Sequence, residues 1–374
     1  MVAYDIQSKF KVTTNPDRAR EILEKRIEAG RASAANVFER INTDVPVDTI
    51  ARGSSFRFAP ADKGGGLVLG MGTRQTIAIH RHALSQLGER GGLHGAQLTS
   101  WMGSGEPWQV ELAAEALQRH YAKGEAAGSR YLVRAVKDEA RGVLSDKYRR
   151  LDSRPLAEDF ATECQKLGAV PVEGTITDTR VAIKALLPML LEPVPGEVMA
   201  LGVEWHNSDY GAGMHSLRAF LLRVWCLNGA TMENALAQVH IGGRLSDEIE
   251  MSEKTYRLDT EASRSALRDI IRGVLAPKRV EALCAGIQRA DANKVEWRKV
   301  SGAVGKRLLK GELEAARAAF EGDDVYNLPA GKSVWRASNA LSWIAGQAQD
   351  PERKLEIQRL AGEVLESKTM AAAA

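Results

Sequence analysis

The chain has 374 residues, of which 44% are hydrophobic and 26% are charged. These proportions exclude a disordered chain, and the length favours two compact units or one domain with a helical appendage. The formal net charge is only +3, from 51 Lys and Arg residues against 48 Asp and Glu residues. A surface that is positively charged throughout is therefore excluded, and any region that binds nucleic acid must be a local basic patch.

Cysteine usage and the lack of long apolar runs indicate the cytoplasm. Cys164, Cys226 and Cys284 are far apart and odd in number, which favours neither a disulfide framework nor a thiolate metal site. We find no secretory signal at the N-terminus and no apolar run that could cross a bilayer. We expect a cytoplasmic protein (host cytoplasm for a phage gene) with buried thiols, no cofactor and no membrane contact.

Residues 1–125 form the first predicted segment, of helical or α+β structure. Asn15-Pro16-Asp17, followed by apolar residues at helical spacing, predicts a helix that ends near Asn42. The glycine-rich residues 63–72 predict a strand or a loop. Helical periodicity returns over residues 76–87 and again over residues 108–123.

Residues 126–250 form a second predicted segment, which is rich in β-structure. Its elements are, in order, a hairpin of runs 130–136 and 141–150, a helix over 153–167, a hairpin of runs 170–176 and 180–186, and an extended stretch over 197–205. We expect the strands to share one sheet. From Ser216 onwards, the spacing of Leu217, Phe220 and Leu221 predicts a helix that Asn228-Gly229 terminates.

Residues 251–374 form the third predicted segment. Nearly all of it has a helical period, with breaks at Ala276-Pro277, at Gly302 and over residues 321–332. The whole sequence therefore predicts an α+β fold, in which an antiparallel, β-rich central sheet carries packed helices and the C-terminal third is helical.

Three stretches of the sequence are informative together, and the second holds an unusual string, an Arg followed by Cys-x-Asn-Gly. They are 130–134 (RYLVR) leading into 142–148 (GVLSDKY), 207–211 (NSDYG) leading into 223–229 (RVWCLNG), and 333–341 (SVWRASNAL). Together they resemble the phage/plasmid-like protein family, a domain of unknown function on mobile elements. The resemblance implies a role in the element's DNA metabolism, with phage or host DNA-metabolism or transcription proteins as partners. It carries over no catalytic residues.

Basic residues gather on one predicted face of the first hairpin. We predict that Val136 pairs with Arg141, so that alternation of side chains places cations on one face and apolar residues on the other. Such a face suits a groove where guanidinium groups hold phosphates and an aromatic ring stacks on a base. The predicted nucleic-acid-binding residues are Arg130, Arg134, Arg141, Lys147, Tyr148, Arg149, Arg150 and Arg154.

The alternative for this hairpin is a solvated face on which the cations pair with nearby carboxylates. Asp138, Glu139 and Asp146 are close enough in sequence to supply them.

A second basic set lies in the helical third. It comprises Lys294, Arg298, Lys299, Lys306, Arg307 and Lys310. Glu296 is the one carboxylate within this stretch. The set predicts either a phosphate-binding surface or an ordinary solvated helix face.

We expect a protein that binds nucleic acid, single-stranded DNA above all, in recombination, replication or transcription of a mobile element. One rival is a metal-dependent nuclease or hydrolase centred on His206, Asp209 and His215, although Asn, Ser and Asp in this string also make structural turns. Another is a structural or host-interaction protein that uses its seven tryptophans for contacts, including contacts within a homo-oligomer.

Overall fold

A computed structural model describes residues 8–62, 66–72, 76–225, 229–238, 252–322 and 326–367, with the backbone alone for 229–238. The helices are α1 (Pro16–Thr43), α2 (Arg81–Arg90), α3 (Gly95–Gly103), α4 (Pro107–Ala122), α5 (Gly124–Gly128), α6 (Ser153–Lys166), α7 (Glu253–Val274), α8 (Pro277–Ala292), α9 (Trp297–Val304), α10 (Lys310–Glu321), α11 (Val334–Gln347) and α12 (Pro351–Glu366). The strands are β1 (Val47–Arg52), β2 (Phe56–Pro60), β3 (Leu67–Met71), β4 (Ile77–Ile79), β5 (Arg130–Val136), β6 (Glu139–Ser145), β7 (Val170–Ile176), β8 (Val181–Val194), β9 (Glu197–Asn207), β10 (His215–Arg223) and β11 (Gly229–Gln238).

These elements form an α+β fold with two sheets, and its C-terminal third is helical, as predicted. The first sheet has the order β1-β5-β6-β4-β3-β2 and is mixed, because β4 and β6 pair in parallel. The second sheet has the order β11-β10-β9-β8-β7 and is antiparallel throughout. The prediction that the strands of residues 126–250 share one sheet is therefore wrong, because β5 and β6 lie in the first sheet and β7 to β9 in the second.

Each sheet buries its own apolar core. Helices α2 to α4 cover the first sheet, where Phe56, Tyr121 and Tyr131 pack ring against ring at 5.5–5.6 Å. The larger core lies between the second sheet and the helices that follow it, and Trp205 and Phe160 stack at its centre. On the other face of this sheet, apolar residues of α1 pack on β7, β8 and β10. The second sheet is thus covered by helices on both faces.

The segment after Ser216 is strand β10, and the helix predicted there is wrong. Both faces of β10 are buried, so its sequence lacks the apolar–polar alternation of a half-exposed strand. Without that alternation, Leu217, Phe220 and Leu221 also fit helical spacing. Residues 226–228, which hold Cys226 and the predicted Asn228 terminator, lie outside the described residues.

Other predicted features stand in the structure. The first helix, both hairpins and the helix after residue 153 are confirmed as α1, β5–β6, β7–β8 and α6. Cys164 and Cys284 are buried free thiols.

The break predicted at Gly302 is wrong, because Gly302 lies inside α9. The boundary predicted after residue 125 falls within α5, and β5 beyond it pairs with β1 before it.

Candidate nucleic-acid interface

The first hairpin has a tighter turn than the sequence predicts. Val136 pairs with Glu139, not with Arg141, and a register shift follows Arg134. The two-residue turn requires a positive φ of 53° at Lys137, a conformation in which glycine or asparagine is usual. The predicted pairing of Val136 with Arg141 is therefore wrong.

Arg134 is buried inside the protein. Its side chain is 2% exposed, and Nε donates to Asp48 at 2.8 Å while Nη2 donates to Asp152 at 2.6 Å. Nη1 donates to the backbone carbonyl of Asp209 at 2.8 Å. Burial lowers the pKa of Arg134, but the two carboxylates outweigh it and raise the pKa above its usual value. Arg134 is a structural cation that a nucleic acid cannot reach.

Arg141 also has its charge compensated within the protein. Nη1 donates to Asp44 at 3.1 Å and Nε donates to Glu139 at 3.2 Å. Nη2 lies 3.8 Å from Asp178. Three carboxylates therefore surround one guanidinium group, and a phosphate would have to displace them.

The remaining predicted hairpin arginines are paired as well. Arg130 lies 3.5 Å from Asp146, Arg149 donates to Asp259, Arg150 lies 3.2 Å from Asp48, and Arg154 lies 3.4 Å from Glu158. Lys147 is half-buried. The pairs with Glu139 and Asp146 agree with the alternative that the sequence left open. Its solvated face does not, because Arg134 is buried and most of the other partners are carboxylates distant in sequence.

Tyr148 cannot serve as a stacking platform in this structure. Its side chain is buried among Leu132 and Leu144, and its hydroxyl donates to the carbonyl of Ser208 at 3.2 Å. A base would need an exposed ring face, and Tyr148 offers none.

In contrast to most of the hairpin arginines, the residues of the second basic set are largely exposed to solvent. Lys294, Arg298, Lys306, Arg307 and Lys310 are exposed, and Lys299 is half-buried. They follow the path from the end of α8 through α9 to the start of α10. Trp297, Val300 and Val304 bury the inner side of α9, so the basic residues beside them remain at the surface. We call these six residues the C-terminal basic surface.

Most of these cations lack a carboxylate partner. Arg307 pairs with Glu363, and Lys294 donates to the backbone carbonyl of Asp291 at 3.5 Å. Among the residues that the structure describes, Arg298, Lys299, Lys306 and Lys310 form no ion pair. Residues 294–310 hold six cations and one carboxylate, a net charge of +5, whereas the whole chain carries only +3. The rest of the chain is therefore net acidic.

A cleft of about 610 Å³ lies beside this surface, between α9 and α10. Arg298 stands on its rim, and Trp297 and Phe320 contribute to its walls with ring centroids 5.5 Å apart. Glu296 and Glu314 also line it. The cleft thus has an apolar wall, and Glu296 and Glu314 supply hydrogen-bond acceptors. Exposed cations lie next to it.

The residues of the proposed metal site do not come together. His206 and Ser216 are opposite each other on β9 and β10, so His215 points to the other face of the sheet, where it contacts Trp205. Asp209 accepts hydrogen bonds from the backbone and hydroxyl of Ser153, both at 2.7 Å. In the described ranges no three His, Cys, Asp or Glu side chains are grouped as metal ligands.

Two strings behind the family resemblance meet inside the fold. Arg223 donates to Glu197 at 2.5 and 2.7 Å, and the indole of Trp335 donates to the same carboxylate at 2.9 Å. Arg336 donates to four backbone carbonyls around the end of α10. These polar residues hold the helical third on the second sheet, which is a structural role.

Comparisons of the chain with protein-family models, curated proteins and solved structures find no match. The resemblance to the phage/plasmid-like family therefore stays a prediction. None of the helices in the described part of the chain is long and apolar enough to cross a membrane.

Proposed function

We propose that this protein binds single-stranded nucleic acid through the C-terminal basic surface. The observation that carries the proposal is the group of Arg298, Lys299, Lys306 and Lys310, which have no ion pair within the described residues. The hairpin groove that the sequence favoured is not part of the proposal, because its arginines are paired with carboxylates.

Free cations bind phosphate more favourably than paired ones. A nucleic acid that reaches an exposed lysine displaces only water and counterions, and the released counterions drive binding. A nucleic acid that reaches Arg141 must first break contacts with Asp44 and Glu139. The C-terminal basic surface should therefore bind phosphate more tightly than the hairpin arginines, although the two sets hold similar numbers of cations.

The cleft favours single strands over duplex. Beside the cations, an unpaired base can enter the cleft between α9 and α10, whereas bases in a duplex stay stacked on each other. Glu296 and Glu314 would repel a phosphate inside the cleft, but they can accept hydrogen bonds from the amino groups of a base. We therefore place the phosphates on the basic surface and a base in the cleft.

Fluorescence anisotropy with labelled single-stranded and double-stranded oligonucleotides over a salt series tests the proposal. We expect tighter binding of the single strand and a steep loss of affinity as salt increases. Absence of binding at low salt, or tighter binding of the duplex, would contradict it.

A further inference from the structure

A second cavity, of about 540 Å³, lies between the second sheet and α12. Strands β8, β9 and β10 form its floor, and residues from Asp350 to Arg359 form the opposite wall. It is lined by Arg180, His206, Ser216, Arg218 and Arg359, together with carboxylates nearer the start of α12. This cavity is separate from the cleft between α9 and α10.

Charged residues occupy adjacent positions on the face of the sheet that borders this cavity, and Arg218 is the one among them that lines it. Glu204 is directly opposite Lys184 on β8 and Arg218 on β10, so all three side chains project from the same face. The next row along the strands consists of Ala182, His206 and Ser216. Three ionisable side chains thus form a single row on this face of the sheet.

The ion-pair contacts of Glu204 are made with residues other than Arg218. Glu204 lies 2.9 Å from Nε2 of His206 and 3.7 Å from Nζ of Lys184. Lys184 is further held by Gln358 at 2.7 Å and by Glu173 at 3.5 Å. Arg218 forms no ion pair within the described part of the chain, although Glu204 stands opposite it.

Arg218 and Arg359 approach the cavity from opposite sides, one from the sheet and the other from α12. Arg218 is only 8% exposed. The Nε atoms of both arginines are buried, and neither has a hydrogen-bond partner among the described residues. Burial and the like charge of Arg359 lower the pKa of Arg218 to about 10. Arg359 is half-buried. No carboxylate forms an ion pair with either arginine among the described residues, although Glu204, Glu363 and Glu366 act on Arg218 from a distance and oppose the lowering of its pKa. An anion bound between the two guanidinium groups would offset their mutual repulsion.

We propose that this cavity binds the phosphate group of a small phosphomonoester, held between Arg218 and Arg359. Two guanidinium forks match the oxygens of a phosphate, to which each can donate a pair of hydrogen bonds. This site is independent of the nucleic-acid surface.

Carboxylates on the wall of the cavity indicate which chemical groups the ligand carries besides its phosphate. Asp350, Glu352 and Glu356 all line it. Glu352 pairs with Arg180 at 3.2 Å, and Glu356 pairs with Arg353. These carboxylates repel the repeated phosphates of a nucleic-acid strand, but they accept hydrogen bonds from hydroxyl groups. The ligand is therefore a phosphomonoester with a hydroxyl-bearing body, such as a sugar phosphate or a nucleoside monophosphate.

Thermal unfolding and calorimetric titration with inorganic phosphate and adenosine 5′-monophosphate test this proposal. We expect both compounds to raise the Tm of the wild-type protein, with the nucleotide binding more tightly. Arg218→Met and Arg359→Met should each weaken binding at least tenfold. Without ligand, both variants should unfold at the wild-type temperature or above, because each removes an arginine that forms no ion pair and relieves the repulsion between the two guanidinium groups. Replacement of an arginine with only a structural role would instead lower the Tm and leave ligand binding unchanged.

Arg119→Met on α4 is the matched control, because it removes an exposed arginine far from the cavity. It should leave binding of both compounds unchanged. The proposal is overturned if neither compound raises the wild-type Tm, if both bind equally well, or if Arg218→Met and Arg359→Met bind as tightly as the wild type. Should Arg218→Met not fold, Arg359→Met gives the same test from the helix side. Oligonucleotide binding should be unaffected by either variant, so the two proposals fail separately.

Discussion

Arg134 and Asp152 are joined by a hydrogen bond of 2.6 Å between Nη2 and Oδ1, and the arginine is buried. Arg134→Met leaves Asp48 and Asp152 without their shared cation. We expect the free energy of unfolding to fall by about 2 kcal/mol for the lost charged hydrogen bonds, since Asp48 keeps Arg150 and Asp152 is partly exposed. Urea denaturation measures this loss. Arg154→Met, which removes an exposed partner of Glu158, should cost less than about 1 kcal/mol, and equal losses would contradict the buried role of Arg134.

A second prediction concerns Glu173 on β7. Its carboxylate lies 2.6 Å from Lys354, 3.1 Å from Arg26 and 3.5 Å from Lys184. Burial alone would raise the pKa of Glu173, but the three cations lower it to about 2. Glu173→Gln should therefore reduce the free energy of unfolding at pH 7 by about 3 kcal/mol, since each pKa unit corresponds to about 1.4 kcal/mol.

The pH dependence of that loss follows from the sign of the shift. The folded pKa of Glu173 lies below the unfolded value, so its contribution is complete above pH ~4.5 and is lost as the pH falls towards 2. Denaturation of the wild type and Glu173→Gln at several pH values should show the difference shrinking over this range. A difference that stays constant from pH 7 to pH 2 would show that the charge of Glu173 is not its cause.

A third prediction compares two helical glycines. A Cβ atom on Gly30 of α1 would come within 1.9 Å of the carbonyl oxygen of Val172 on β7, whereas a Cβ on Gly302 of α9 would meet nothing within 4 Å. Gly30→Ala should destabilise the protein by about 2 kcal/mol or more, because backbone must move. Gly302→Ala should stabilise it by about 0.5–1 kcal/mol, as alanine does in a helix interior. Thermal denaturation of both variants checks the packing of α1 and the helical state of Gly302, and the same effect in both would contradict them.

Local patterns of the sequence predicted much of the fold. The Asn15-Pro16 start, the Ser153 start and the turn signals of both hairpins act over a few residues, and the structure confirms the elements that they predict. The division into two sheets was not predictable in this way, because pairing of β1 with β5 joins residues 47–52 to residues 130–135. No local pattern encodes such a pairing.

The cavity arginines were missed for a related reason. Arg218 lies within the run that was predicted to be a helix. On a helix, an arginine can lie on the solvent-exposed face and needs no special explanation. An arginine inside a strand that is buried on both sides requires a partner. Arg223 of β10 finds one in Glu197, whereas Arg218 of the same strand forms no ion pair among the described residues. The hairpin arginines raised the reverse difficulty, since their partners Asp44, Asp48 and Asp259 are distant in sequence. Sequence shows a charge but does not show whether it is already compensated.

The most direct test of the nucleic-acid surface compares two triple variants that lose the same charge. Lys299, Lys306 and Lys310 are changed to Gln in one, and Arg20, Lys25 and Arg31, exposed and paired on α1, are changed to Gln in the other. Anisotropy of a labelled single strand over a salt series should show weaker binding for the first variant and a log–log salt slope that is smaller by about 2, since each lost phosphate contact removes about 0.7. The second variant should retain the wild-type slope. An unchanged slope in the first variant, or equal changes in both, would contradict the account.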